Sequence, residues 1–386
     1  MTHSGKRTAL MIASVGTMID SFNRDNIRLL SGLGYEVHVA ANFVEGNPSI
    51  SRMEKFRQEL EQQGVNSFHI PMPRNPYKFG RIITSYKMVK KLVEEHQYDI
   101  VHCHSPVGGV VARLACRKAR KNGTKVLYTA HGFHFFKGAS KTAWLVYYPI
   151  EKMCSYFTDV LITINQEDHQ RAAELHAKQN VYIPGVGVNT QEFRKIEINT
   201  AKKRAQLGIA EGDFLFISVG ELSHRKNHET AIRALAKIED STCKYLIAGT
   251  GPLDSQLKQL VDKLGLKERV IFAGYRSDIK ELLHASNAFV FPSIQEGLPV
   301  ALMEAMAVGL PVVCSRIRGN VDLVEDGQGG YLYAPMDVDG FAEGMKKLVH
   351  NELSSMGMVN METMEKFDIR TVNTEMEKIY RSVATN

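Results

Sequence analysis

The chain has 386 residues, a formal charge of +6, 44% apolar and 23% charged residues, and five cysteines with no CxxC pair. That length suits two domains, each with its own core, and the composition excludes disordered, fibrous and disulfide-stapled classes. The charge is uneven: residues 1–190 hold 24 Lys/Arg against 15 Asp/Glu, and residues 191–386 hold 24 against 27. The basic half is expected to meet something acidic. With no helix-turn-helix, zinc or RNA-binding signature, an anionic membrane surface is favoured and nucleic acid is not. Met1–Arg7 is polar, so no export signal is read there, and no apolar run approaches the length of a membrane span. The scattered cysteines read as buried thiols of a reducing cytoplasm.

Thr8–Val15 (TALMIASV) predicts a first strand ending at Gly16-Thr17, followed by a helix through Leu33 and a second strand, Glu36–Ala41. Further strands are expected at Ser67–Met72, Ile100–His104, Val126–Thr129 and Val160–Ile164. Strands alternating with helical patterns argue for a doubly wound parallel sheet. Gly16, in the first strand–helix turn, is where a backbone can approach a phosphate. His102 and His104 are expected on opposite faces of their strand, which argues against a metal pair. His131 falls at the carboxyl end of the next strand, the edge where open α/β sheets bind ligands. Taken alone, such a histidine is more often a hydrogen-bonded structural residue.

The polar stretch Lys195–Arg204 is the expected boundary, after which the rhythm restarts with Phe214–Val219, the turn GELSHRKN and a helix over Glu229–Ile238. Tyr245–Ala248 leads into Gly249-Thr250-Gly251-Pro252, a weak fragment of a dinucleotide fingerprint. Val270–Phe272 and Gly274-Tyr275-Arg276 follow, with Asp278 expected as a helix N-cap. The most informative stretch is FVFPSIQEGLPVALMEAMAVGLPVV, from Phe289 to Val313. It predicts a buried strand, a polar turn, a helix opened by Pro299 and stopped by Gly309 and Pro311, and a strand from Val312. Backbone N–H groups from Gly297 to Val300 can then hold an anion at a helix N-terminus. Glu296 and Glu304 beside such a site suit hydroxyl acceptors better than phosphate contacts, although spacing alone also allows solvated carboxylates. Asp337-Val338-Asp339 reads as a helix cap rather than a metal motif.

Pro292-Ser293, then Glu296-Gly297-Leu298-Pro299, then Glu304 eight positions after Glu296, resembles the donor-site signature of glycosyltransferase family 4. The resemblance implies the GT-B architecture: two Rossmann-like, doubly wound parallel-sheet domains with a cleft between them, in an α/β chain. It also implies a donor-site role for Gly297, Leu298, Pro299 and Tyr275, a sugar-facing role for Glu296, and ribose binding by Glu304. Lys226 matches the family lysine that neutralises the donor diphosphate. The usual arginine is replaced by Glu221, and Arg225 is expected to supply the second charge. His131-Gly132 matches a histidine that meets the donor sugar. Gly16 matches less well, because the family carries two adjacent glycines there. DIVHCHSPVGG (Asp99–Gly109) and AHGFHFFKG (Ala130–Gly138) are similar to the branch that builds exopolysaccharides and capsules on lipid carriers, and Pro184–Asn189 to its domain junction.

The resemblance implies a retaining, metal-independent glycosyltransferase with no cofactor beyond its donor. It would move a hexose or N-acetylhexosamine from a UDP-sugar to a polyprenyl-diphosphate-linked glycan. Catalysis would rest on His131, Lys226 and Glu296, and the donor on Gly16, Arg225, Tyr275 and Glu304 as well. A hydrolysing UDP-N-acetylhexosamine epimerase and a non-catalytic nucleotide-sugar sensor are the alternatives. The expected domains are 1–190, acceptor-binding, and 195–366, donor-binding, with a helix over 367–386 packing back on the first. Attachment to the inner face of a bacterial plasma membrane is expected from Arg74–Lys141, where fourteen Lys/Arg face only Glu94, Glu95 and Asp99. Tyr77, Phe79, Phe133, Phe135, Phe136 and the run Trp144–Tyr148, apolar all round its helix, are expected to join that surface.

Overall fold

The computed structural model describes residues 6–384 except 48, 196–197 and 351–352. Most of the polar segment Met1–Arg7, two residues of the expected linker and the last two of the tail lie outside the described residues. The chain divides into two compact units: Met1–Gly185 with Val372–Asn386, and Val186–Thr371.

The first unit is a seven-stranded parallel sheet in the order β3-β2-β1-β4-β5-β6-β7. Its strands are β1 (Thr8–Val15), β2 (Glu36–Asn42), β3 (Asn66–His69), β4 (Ile100–His104), β5 (Lys125–Ala130), β6 (Val160–Thr163) and β7 (Gln179–Tyr182). Central strands are buried on both faces, as in a sheet covered by helices on both sides. Ile12 lies beside Cys103, and Cys103 beside Tyr128. The expected single helix after β1 is two, Gly16–Phe22 and Arg24–Gly32. Asn23 interrupts it: its buried side chain donates to the Met18 carbonyl and accepts from Asn26, competing with the helix ladder.

The second unit is a six-stranded parallel sheet, order β10-β9-β8-β11-β12-β13. It comprises β8 (Phe214–Val219), β9 (Cys243–Ala248), β10 (Val270–Gly274), β11 (Ala288–Phe291), β12 (Val312–Ser315) and β13 (Gly330–Tyr333). Two Rossmann-like parallel sheets in one chain are the GT-B organisation. Residues 186–190, expected with the first domain, are tied to the second unit instead. Val188 exchanges backbone hydrogen bonds with Phe367 and Ile369, and Thr190 Oγ1 donates to the buried Asp368 at 2.6 Å. The C-terminal helix, Ile369–Ala384, buries Val372, Met376, Ile379, Tyr380 and Val383 at helical spacing. Tyr380 Oη lies 2.8 Å from His102 Nδ1 of the first unit's β4. The five cysteines are buried free thiols.

Candidate active site

In the second unit the loops after β8, β11 and β12 build one charged cluster. β8 ends at Val219, and Gly220 with the turn 221–227 leads to the helix His228–Ala236 through Asn227 in the left-handed region (φ 53°). Asn227 Nδ2 donates to the carbonyls of Pro292 and Pro335, locking that turn to the β11 loop. Gly220 leaves room for the Lys226 stem, since a Cβ there would stand 3.2 Å from Lys226 Cε. Lys226 Nζ and Arg225 Nη1 each donate to Glu296 Oε1 at 2.8 Å. Arg225 is half-exposed, whereas the Lys226 and Glu296 side chains are nearly covered. Burial lowers the Lys226 pKa and the Glu296 carboxylate opposes that shift. Two cations on one carboxylate leave the cluster with a surplus positive charge, an arrangement that suits a diphosphate.

The helix after Glu296 runs Val300–Ala307, with Pro299 as its N-cap rather than its first helical residue. Pro299 is extended (ψ 114°), so the turn is one residue longer than expected. Gly297 stays in that turn and Leu298 is buried. Glu304 is on the helix, half-buried, and burial raises its pKa to about 7 against the pull of Lys280. Tyr275 follows β10 with its side chain exposed. Asp278 does not cap its helix through its side chain; the carboxylate takes Arg276 and Lys203 instead. Asp337 accepts the Gly340 N–H at 2.8 Å, a helix cap, and Asp339 pairs with Lys237. Gly249 and Gly251 serve packing: a Cβ at either would collide with the backbone of Gly220 or Leu222.

Sequence reasoning missed Arg318 and Gly319. Arg318 Nε donates to the Glu296 carbonyl at 3.1 Å. Gly319, at φ 81°, lets its backbone approach so closely that a Cβ would collide with the Gly297 carbonyl. The available signal was an Arg-Gly-Asn turn directly after a strand, which marks a special backbone position without saying what approaches it.

In the first unit, Gly16 opens the helix after β1, and a Cβ there would press on Met53 and Phe43. His131 follows β5 and is half-buried, its Nε2 3.1 Å from His104 Nδ1. His104 and His102 share one face of β4, not opposite faces, with ring centroids 4.2 Å apart. Residues two apart in a strand must do so, and the expectation of opposite faces was wrong. His102 Nε2 lies 2.8 Å from Thr129 Oγ1, and His104 Nε2 lies 3.1 Å from Met11 Sδ. Burial holds the pKa of His131 down at about 4 and that of His102 at about 3, so both are neutral at pH 7. Gly108 and Gly109 let the helix Pro106–Ala115 press on the Ser14 backbone and the Tyr128 ring. The loop after His131 is held by Asp168, which accepts the Phe133 N–H, and by Glu167, which accepts that of Lys137.

Phe133 and Phe135 are buried, stacked on each other at 4.7 Å, and so belong to the core rather than to an outer surface. The apolar run likewise divides. Trp144, Tyr147 and Tyr148 pack against the core, while Leu145 and Val146 face solvent. Among the described residues, no helix is long and apolar enough to cross a membrane, and no group of three His, Cys, Asp or Glu could hold a metal ion.

Residues 22–192 match the family model for Glycosyltransferase Family 4, and residues 199–367 match that for glycosyl transferases group 1. The chain is 38% identical to the glycosyltransferase EpsD of Bacillus subtilis over 96% of its own length and 95% of that protein's. It is 32% identical to an Escherichia coli UDP-Gal:alpha-D-GlcNAc-diphosphoundecaprenol alpha-1,3-galactosyltransferase, over 75% of this chain and 76% of that one. In fold it is similar to HepE of Anabaena, solved in complex with UDP and with UDP-glucose. The TM-score is 0.77 at 22% identity with the UDP complex, covering 97% of this chain and all of that one. WaaG, a glycosyltransferase involved in lipopolysaccharide biosynthesis, gives 0.71 at 19% identity, covering 96% and 99%. With family motifs in both sheets and a full-length relative at that identity, the chain belongs to glycosyltransferase family 4.

Proposed function

We propose that this glycosyltransferase moves a hexose or N-acetylhexosamine, with retention, from a UDP-sugar to a hydroxyl of an undecaprenyl-diphosphate-linked glycan during exopolysaccharide or capsule assembly. The observation that carries the reading is the convergence of Lys226 and Arg225 on Glu296 at the start of the Val300–Ala307 helix. As the glycosidic bond breaks, negative charge collects on the diphosphate. Lys226, Arg225 and the helix N-terminus are fixed donors that meet this charge without reorganising. A diphosphate drawing the two cations releases Glu296 to accept sugar hydroxyls. Glu304 accepts ribose hydroxyls, and the exposed Tyr275 ring offers a face to the base. The neutral His131 offers a hydrogen bond, not a charge, to the sugar.

With the diphosphate charge met in this way, the reaction needs no metal, and activity should survive excess EDTA. The named activity of the E. coli relative and the exposed apolar and basic side chains of the first unit support the lipid-linked acceptor. Those side chains seat the enzyme on the inner face of an anionic plasma membrane. The test is UDP release from a panel of UDP-sugars with and without a bacterial lipid extract. Release that needs the extract, with the sugar recovered on lipid, is expected. Release of equal rate without any acceptor points to an epimerase or hydrolase, and tight donor binding without release points to a sensor.

A further inference from the structure

A parallel sheet has two edges, and in the first unit they carry different chemistry. Gly16 and His131 lie at the carboxyl edge. At the opposite edge, the segments that precede β5, β6 and β7 enclose a concavity of ≈ 720 Å³. The helix Arg117–Lys121 contributes Arg117, Lys118 and Lys121, the helix Phe79–His96 contributes Lys90, and Tyr156 stands at the rim. Arg120 and Lys178 also line it, but both are committed to the buried Asp159, at 2.8 and 2.9 Å. Asp159 also accepts the Val126 N–H, so this floor is fixed to the sheet. Among the described residues, Lys90 has Glu94 at 3.9 Å, whereas no carboxylate lies within ion-pair distance of Arg117, Lys118 or Lys121, and Arg117 instead covers the Phe157 ring at 4.7 Å. Uncommitted cations around a rigid concavity differ from a solvated convex face, where such side chains spread into water.

The neighbouring helix, Lys141–Ser155, says what brings an anion there. It leaves the carboxyl end of β5 and returns to the amino end of β6, about 22 Å along its axis at 1.5 Å per residue. Its inner side is pinned by Glu151, which takes the fully buried Arg113. Its outer side exposes Leu145, Val146, Ile150 and Met153, a stripe at helical spacing that ends beside Tyr156 at the concavity. An exposed apolar stripe leading into a cationic pocket complements acyl chains below a phosphate headgroup.

We propose that the concavity formed by Lys90, Arg117, Lys118 and Lys121 binds the phosphate headgroup of an anionic membrane lipid. The bound headgroup orients the Lys141–Ser155 helix on the bilayer, with the carboxyl edge of the sheet at the helix's other end. The inference rests on the membrane attachment given under Proposed function, and deepens it from diffuse attraction to a discrete site.

Flotation of the whole enzyme with vesicles tests it, using phosphatidylcholine alone and phosphatidylcholine mixed with phosphatidylglycerol. The pocket variant is Lys118→Glu with Lys121→Glu; the control reverses Lys87 and Lys91, which lie outside the pocket. UDP affinity of both variants, measured by calorimetry, verifies their folding. Tighter binding to the anionic vesicles is expected, with the pocket variant weakened roughly thirtyfold, on the scale of two lost basic contacts, and the control much less. Equal weakening by both variants overturns the pocket and leaves membrane attachment as diffuse charge. Equal binding of the wild type to both vesicles also overturns the headgroup site while keeping attachment. No binding to either vesicle removes attachment itself. If inorganic phosphate nevertheless binds in a manner that Lys118→Glu abolishes, the site takes a soluble anion and the lipid assignment is overturned.

Discussion

The two sheets share a topology but handle charge in opposite ways. In the second unit, charge is gathered inward: Lys226 and Glu296 are nearly covered and face each other at 2.8 Å at the ends of β8 and β11. In the first, the groups beside the sheet's carboxyl edge are neutral histidines, and the cations lie on outer helices such as Arg117–Lys121. The two arrangements make binding energy in different ways. A buried, mutually paired cluster discriminates one ligand geometry, because each charge is costly until it is matched. The exposed cations of the first unit bear no such desolvation cost, so their pull on an anion is weaker per charge and is screened by salt.

Five substitutions test that contrast, ordered from the largest expected effect to the smallest. The exception in the first unit is the buried Arg113–Glu151 pair, with Arg113 also 4.0 Å over the Tyr128 ring. Glu151→Ala strands a buried guanidinium and should cost about 3–5 kcal/mol of stability, read by denaturant unfolding. A loss below about 1 kcal/mol would mean that water reaches Arg113 and that the first unit's core is not dry there.

Lys226→Ala removes the covered cation of the second unit. Turnover should fall roughly 100- to 1,000-fold, the scale of one transition-state donor, while the melting temperature changes little because Arg225 still meets Glu296. Near-normal turnover would move the diphosphate counter-charge to Arg225.

Glu304→Gln should weaken UDP binding roughly ten- to a hundredfold, since hydrogen bonds to a charged acceptor contribute about 1.5–3 kcal/mol. The wild type adds a pH test. The free carboxyl, raised to about 7 by burial, is protonated below that pH and accepts hydroxyls poorly. Affinity for a UDP-sugar, whose diphosphate diester has no ionisation of its own in this range, should therefore rise between pH 5 and pH 8 and be lost as pH falls through about 7, with protons released on binding at the acid end. The Gln variant should be flat over this range in calorimetric titration. A parallel pH slope in both proteins would sink the ribose assignment. In the same assay Glu296→Gln should depress turnover more than UDP affinity.

The smallest effect is expected at His104→Leu, which takes away the partner of His131 Nε2. A neutral hydrogen bond contributes about 0.5–1.5 kcal/mol, so turnover should fall at most about tenfold with UDP affinity unchanged. Loss of UDP affinity instead would show that His104 supports the fold rather than the orientation of His131.

The αβ alternation, the positions of the central strands and the Glu296–Glu304 spacing were legible in the chain, because periodicity and turn residues are local properties. Composition alone also located the basic half. It could not show β7 (Gln179–Tyr182), a short edge strand with one exposed and three half-buried residues that carries no apolar run. Only the tertiary structure brought Arg225 and Lys226 to Glu296, about seventy residues away. It also set Gly319 against the Gly297 carbonyl. And it separated the buried Phe133 and Phe135 from the exposed Leu145 and Val146, which share one apolar composition. The physical reason is the same in each case. A residue's type is written in the chain, but its partner, its burial and therefore its charge state depend on which distant segments the sheet order makes neighbours.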